Sequence, residues 1–352
     1  MAVNQTMGRA SISYGNPVFI KASGSVVGQM ESEGPLGSYF DKVGTDKDDL
    51  FGADSWEKAE SALQKEAVGI TLQKAGIKAE DIRYLFAGDL LGQNIASSFG
   101  VMDYEIPLFG LYGACSTCGE SLCLGSMAVA GYASSVMCLT SSHYASAQKE
   151  FRYPLEYGGQ RPLYATWTVT GSAAFILQPQ ELPKEEEIAS AYSRKIAITG
   201  ITPGKIMDYG IRDSFNMGCA MAPAACDTIL TNLRDFNRQS RDYDAIITGD
   251  LGNVGKDALF KLLEEQKVDI SDRYYDCGML MYDTQKQDVH AGGSGCGCSA
   301  TVLSAYLLHK IEAGEWNRIL FVPTGALLNK TSFNEGQNVP GIAHGVVIEA
   351  TA

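Results

Sequence analysis

The sequence has no uninterrupted apolar run approaching the roughly 18 residues that a membrane-crossing helix needs, so no transmembrane helix is expected. Residues Met1 to Arg9 carry no apolar core, so no secretory signal is expected there. Positive charge is scarce: 28 Lys and Arg stand against 41 Asp and Glu, a net charge of −13. That balance disfavours nucleic acid and anionic lipid as direct electrostatic partners. Cysteine, at nine, is plentiful but odd in number and scattered. Without a secretory signal, these read as reduced thiols of an intracellular protein. The tight pairs Cys115-x2-Cys118 and Cys296-x-Cys298 both sit in helix starts rich in Gly, Ser and Ala. They do not make the four spaced ligands of a structural zinc site, and no metal site is expected. The stretch Ala291–Cys298 lacks the lysine and spacing of a phosphate loop, which argues against a nucleotide.

What the chain does contain is one half-fold written twice. Ile82 to Asn94 reads as an apolar strand running into Gly88-Asp89-Leu90, and Tyr243 to Asn253 repeats it with Gly249-Asp250-Leu251. Gly113-Ala114-Cys115-Ser116, a small-residue helix and the strand 136–142 then follow. Their counterparts are Gly297-Cys298-Ser299, a helix to Ala313 and the strand 319–323. Repeats of this length exclude a solenoid and predict an α/β protein of two similar halves, with a site between them. At 352 residues the chain is long enough for two domain-sized cores. The loop-like string Gln178–Glu187 places the halves at 1–180 and 188–352.

Local patterns fill in the elements. Residues 1–50 look irregular. A helix is predicted over 54–76, with Asp54 as N-cap and Gly76 as its stop. The wholly apolar strand 84–88 reads as buried on both faces. A helix of small residues is expected from Ser116 to about Ala133, then an aromatic- and proline-rich excursion over 149–167 and a strand at 172–177. The second half reads as strand 195–201, helix 219–237, strand 244–248, helix 256–266 and a loop to Gly292. The Cys298 helix, the strand 319–323 and a last strand over 343–350 complete it.

Cys115 draws attention because it looks exposed on a turn between strand and helix. The partial positive charge of a helix N-terminus lowers a thiol pKa and favours the thiolate. Such a cysteine would accept an acyl group. The alternative is an inert buried thiol, as expected for Cys138 in its strand. Asp89 and Asp250, equivalent in the repeat, would either hold calcium or cap the turns that follow them, and capping is the preferred reading. Gly293 and Gly295 suit close backbone approach. Three of the four histidines, His143, His290 and His344, fall in Gly/Ser-rich turns expected to converge on one pocket; His309 lies on a helix and is expected at the surface.

A cysteine on this turn, in a duplicated α/β chain, resembles the thiolase superfamily. A closer resemblance spans nearly the whole chain. It rests on Gly-Pro-Leu-Gly (34–37), Ala-Gly-Asp-Leu-Leu (87–91), Gly-Ala-Cys-Ser-Thr (113–117), Thr-Ser-Ser-His (140–143) and the run Phe151–Gln160. Ala-Met-Ala-Pro-Ala-Ala (220–225), Ala-Gly-Gly-Ser-Gly-Cys (291–296) and Ile-Ala-His-Gly-Val-Val (342–347) extend it. Together these resemble the stage V sporulation protein AD family. The resemblance implies a thiolase-like five-layer αβαβα fold and a protein that binds dipicolinic acid, alone or with calcium. It further implies partnership with membrane proteins of the same transport complex, a peripheral place at the spore inner membrane, and a homodimer through the first half's sheet edge. No cofactor is implied.

Within that resemblance the catalytic set is incomplete. Gly249-Asp250 stands where a condensing enzyme's histidine would fall, and the loop Val339–Gly345 has no cysteine. His290 is the one basic group left near the expected position, and an anionic Asp250 beside Cys115 would disfavour a thiolate. These departures favour ligand binding over catalysis. The candidate ligand-binding residues are Cys115, Ser116, His143, Arg152, Tyr157, Asp250, His290, Gly293, Ser294 and His344. Arg152, Tyr153, Tyr157 and Arg161 would form an aromatic, basic lid. The rival readings are an acyl-transfer enzyme using Cys115 as nucleophile with His290 as acid/base, and an assembly subunit with a vestigial pocket.

Overall fold

The computed structural model describes residues 4–45, 49–151, 160–180, 182 and 186–351. The first half opens with β1 (Gln5–Met7), β2 (Ser11–Val27), α1 (Gln29–Ser32), β3 (Lys42–Val43) and α2 (Trp56–Ala75). It continues through β4 (Tyr84–Gly88), α3 (Ile95–Val101), β5 (Leu108–Gly110), α4 (Thr117–Gly131) and β6 (Val136–Ser142). It closes with α5 (Tyr144–Phe151), β7 (Trp167–Thr168) and β8 (Gly171–Pro179). The second half begins with β9 (Lys195–Thr202), α6 (Met217–Asp235), β10 (Ala245–Thr248), α7 (Gly252–Glu265), β11 (Tyr274–Asp276) and α8 (Cys277–Met281). Then come β12 (Gly293–Ser294), α9 (Cys296–Val302), a π-turn at Leu303–Leu307, α10 (Leu308–Glu312) and β13 (Arg318–Val322). The chain ends with β14 (Thr324–Ala326), α11 (Lys330–Asn334), β15 (Gly341–Ala343) and β16 (Gly345–Thr351).

Ten strands run side by side in the order β11-β10-β13-β16-β9-β2-β8-β6-β4-β5. Read outward from the central β9–β2 pair, the two sides are the same. Each has an antiparallel neighbour, a second antiparallel neighbour, then two parallel strands. The duplication read from the sequence is therefore a duplication of topology. Three apolar clusters separate the layers. One lies beneath α2, a second beneath α6 and α7, and the largest surrounds α4 and α9, which touch each other between the two halves of the sheet. Strands β4, β6 and β8 are buried nearly end to end because helices cover both faces. The small residues of α4 permit this central position: a side chain on Gly125 would sit 2.6 Å from Cys138 Sγ.

Several expected boundaries shift. Residues 1–50 are not irregular, since β2 runs for 17 residues through the middle of the sheet. Ser55, not Asp54, caps α2, accepting from Lys58 N, while Gly76 ends it at φ +67° as expected. Helix α7 starts at Gly252, and the stretch expected to be loop before Gly292 contains β11 and α8. The last strand is broken at His344 into β15 and β16.

Candidate functional site

Cys115 lies in the turn between β5 and α4. Ala114 takes a left-handed conformation at φ +50°. Thr117 Oγ1 accepts from Gly113 N (3.0 Å) and donates to Ala114 O (2.6 Å), while Ser116 Oγ donates to Gly113 O (2.7 Å). Ser116 is thereby committed to its own turn. Strand β14 presses on this turn so closely that a side chain on Gly325 would meet Gly113 O at 2.3 Å.

The thiol is not exposed: Cys115 is 6% accessible. It faces a cavity of about 20 Å³, room for about one water molecule, walled by Leu90, Tyr112, Phe151, Thr168, Met217 and Ser294. Outside it lies a wider mouth of about 450 Å³ that shares Leu90, Tyr112, Glu150 and Leu328 with the inner cavity and adds Gln93, Asn329 and Lys330.

Electrostatics run against a thiolate. Burial first, then the charge of Asp250, push the Cys115 thiol well above its ordinary range, and its hydrogen bond to the Asp250 carboxylate acts in the same direction. The helix-terminus effect expected to activate this cysteine is thus outweighed, because desolvation penalises the charged form more than a partial dipole rewards it. Asp250 itself is pushed up to about 7 by burial, although Thr324 Oγ1 (2.6 Å) and Gly295 N (2.9 Å) both donate to it. Asp250 does not cap the helix that follows it. Asp276 does, accepting from Leu251 N and Gly252 N. Asp89 keeps the capping role expected of it, bonded to Leu91 N and to both donors of Ser97.

The histidines do not converge. Among the described residues no histidine lines the Cys115 cavity. His143 is buried with Nε2 against Asp49 O and Nδ1 accepting from Ala145 N, and it lines a different cavity. His290 holds Pro162 O through Nδ1 and meets Asp288 through Nε2. His344 accepts from Gly204 N, and burial lowers it to about 4, so it is neutral. His309 is surface-exposed beside Glu312, as expected. Ser294 reaches the cavity from β12, which pairs Gly293 with Trp167 and Ser294 with Thr168. Arg152, Tyr153 and Tyr157 fall outside the described residues. Arg161 bonds Asp288 and lies over the Trp167 ring.

Sequence reasoning overlooked the apolar wall. Tyr112 was within reach, being the end of the apolar run before Cys115, whereas Met217 and Thr324 carry no local signal and are placed only by the crossing of the two halves.

Comparison with known proteins decides the family. The profile of stage V sporulation protein AD (SpoVAD) matches residues 8–349. Over 344 residues the chain is 43% identical to stage V sporulation protein AD of Bacillus subtilis, covering 97% of each chain. The chain belongs to the SpoVAD family. Among solved structures, human mitochondrial 3-ketoacyl-CoA thiolase in complex with CoA superposes with a TM-score of 0.60, covering 97% of this chain and 99% of that one at 13% identity. A variant of OleA from Xanthomonas campestris gives 0.61 at 13% identity, over 96% and 99%. The 3-oxoacyl-(acyl carrier protein) synthase III FabH of Pseudomonas aeruginosa gives 0.53 at 13%, over 95% and 98%. This SpoVAD-family chain therefore has the thiolase-type fold.

Proposed function

We propose that this sporulation protein is a non-catalytic branch of the thiolase-type fold that binds dipicolinic acid, alone or as its calcium chelate. In this reading it serves membrane proteins of a spore transport complex, moving the acid in during sporulation and out at germination. The observation that carries the reading is the pairing of Cys115 with Asp250. The thiol is held protonated, and no histidine faces the cavity to deprotonate it or relay a proton. A nucleophile so placed has lost the base that acyl transfer requires. What remains is a binding niche: an apolar wall at Tyr112, Leu90 and Leu328, opening to Lys330, Gln93 and Asn329. A mouth of about 450 Å³ is within the range of small-molecule sites. A flat aromatic diacid would lay its ring on that wall and direct its carboxylates to those polar groups.

The protein would reach the spore inner membrane peripherally, through its partners. No helix among the described residues is long and apolar enough to cross a membrane. It would act as a homodimer joined at β5, the outer strand of the first half, where Leu108, Phe109 and Gly110 are all exposed.

The second reading, acyl transfer through Cys115, is kept because the fold neighbours include condensing enzymes. Thermal unfolding with dipicolinate, calcium, both together, or acyl-coenzyme A separates the two. Selective binding raises the midpoint, by about 2.7 kcal/mol of stability at a hundredfold excess over Kd. Stabilisation by dipicolinate and none by acyl-coenzyme A is expected. A shift with acyl-coenzyme A that disappears in Cys115→Ala would overturn the binding reading.

A further inference from the structure

Behind the walls of the Cys115 cavity, where α2 meets α3, β6 and α5, lies a buried polar network. Its centre is Gln64 of α2, whose amide donates to Ser97 Oγ (2.9 Å) and Ser141 Oγ (2.8 Å). An amide nitrogen carries two hydrogens, so both are spent. Each serine then turns its single hydrogen to an acid: Ser97 Oγ to Asp89 Oδ2 at 2.6 Å, and Ser141 Oγ to Glu60 Oε1 at 2.8 Å. Glu60, Gln64, Asp89, Ser97 and Ser141 are all wholly inaccessible to solvent. Reversing the amide would draw both serine hydrogens to Gln64 and strip a donor from each acid.

The two acids are not equivalent. Asp89 also accepts from Leu91 N (2.9 Å) and Ser97 N (2.8 Å), a donor set that suits an anion. Glu60 has Ser141 on one oxygen and only Ser146 on the other. Ser146 Oγ lies 2.7 Å from Glu60 Oε2 and 3.1 Å from His143 O. A hydroxyl has one hydrogen, and a carbonyl only accepts. Both contacts are made when Glu60 is the protonated acid, donating from Oε2 to Ser146 Oγ while Ser146 donates to His143 O. Burial, and after it the charge of Asp89, raise Glu60 in the same direction.

Each acid holds one wall of the pocket. Asp89 fixes the turn of Leu90 and Leu91, while Ser146 belongs to α5, which brings Glu150 and Phe151 to the same cavity. We propose that the proton on Glu60 latches these two walls together, and that its loss as pH rises loosens α5 and weakens ligand binding at Cys115. The ligand part rests on the binding reading above; the latch does not. Once ionised, Glu60 takes the Ser146 hydrogen away from His143 O in the first turn of α5 and faces the charge of Asp89 across a network with no hydrogen to spare. Its surroundings do not offset that charge. Glu57 of α2 adds a like charge and pairs with Lys149 of α5 at 2.6 Å. His143 Nε2 is turned to Asp49 O, Tyr144 stacks on Trp167, and Cys296 of α9 donates to Ser141 O. Helix α3 and residues 139–142 of β6 carry no ionisable side chain.

Hydrogen exchange of the α5 amides in the ligand-free full chain tests the latch, with rates corrected for intrinsic base catalysis. Protection in the wild type should fall about tenfold between roughly pH 6.5 and 9. Glu60→Gln, whose amide donates to Ser146 and accepts from Ser141 as the protonated acid does, should keep its protection at both pH values. Ser146→Ala should be poorly protected already at the lower pH. Circular dichroism checks folding; should Glu60→Gln unfold, Ser146→Ala decides. Protection that does not change with pH in the wild type, or that falls equally in Glu60→Gln or in folded Ser146→Ala, would overturn the latch. Dipicolinate titrated at the two pH values should bind the wild type several-fold more weakly at the higher one, and Glu60→Gln less so; equal binding by the wild type would overturn the regulation. Exchange as expected with no dipicolinate bound at either pH would uphold the latch and sink the ligand reading instead.

Discussion

At the residue scale the decisive fact is that this chain buries several acids completely, Asp250 beside Cys115 among them. Asp250 and Glu31, both fully buried, are each pushed up to about 7, and Glu60, bonded by Ser141 and Ser146, is also raised by burial. Ordinary carboxylates titrate near 4 in the unfolded chain. Folding therefore takes up protons between about pH 4 and 7. The stability these groups contribute is full below pH 4 and is lost as pH rises through 7. His344, lowered to about 4, opposes them only below its ordinary value near 6.5. Between pH 6.5 and 8 the acids should dominate, and the protein should lose on the order of 1 kcal/mol. Asp250→Asn should remove a substantial part of that loss. Urea unfolding at the two pH values measures it, and a wild type equally stable at both would refute the assignment. The resemblance to condensing enzymes implied Asp250 beside Cys115, because Gly249-Asp250 stands where their histidine would fall. The sequence could not place the histidines, since a Gly/Ser-rich turn marks where a chain bends and says nothing of which way the side chain then points.

At the scale of elements, close approach explains what local pattern misread. Strand β2 looks irregular because Gly15, Pro17 and Gly24 interrupt it. Gly15 and Pro17 fall in a break in pairing, the register slip against β9 between Ser13 and Val18, whereas Gly24 pairs in register with Ala174 and the slip against β8 lies earlier, between Ile20 and Ala22. Proline is tolerated in the break against β9 because no ladder bond is asked of it. The early start of α7 has a similar cause. A side chain on Gly255 would lie 2.8 Å from Gly218 Cα, so the glycines that weaken the helix in isolation allow α6 and α7 to touch. The same reasoning predicts the effect of Gly325→Ala in β14. Its methyl would collide with Gly113 O and Ser116 N, both backbone atoms of the Cys115 turn. Overpacking of this kind costs about 1–3 kcal/mol. A lower denaturation midpoint together with weakened dipicolinate binding is expected, and unchanged binding would separate the ligand site from this turn.

At the scale of the molecule, the two outer edges of the sheet differ although the topology is mirrored. Strand β5 is exposed along its whole length, whereas its counterpart β11 is half-buried or buried throughout. Phe99 and Met102, just before β5, are about 60% exposed. Unpaired apolar edges invite pairing and are rarely left open. Light scattering should therefore report a dimer, and Leu108→Asp or Phe99→Asp should give a folded monomer; a monomeric wild type would remove this interface. The mirrored architecture was legible in the sequence because both copies keep the strand-turn signature. The difference between the edges was not, because exposure depends on what the excursions of each half cover.

The pairing of β2 with β8 and β9 also sets an order of events at the ribosome. Residues 11–27 are made first, yet their neighbours at 171–179 and 195–202 come more than a hundred and forty positions later. At about 5–20 residues per second, the longest strand of the sheet waits roughly 10–30 s for a partner. The nascent chain thus carries an unsatisfied template through nearly half of its synthesis, and holding that strand from strangers falls to whatever guards the exit tunnel.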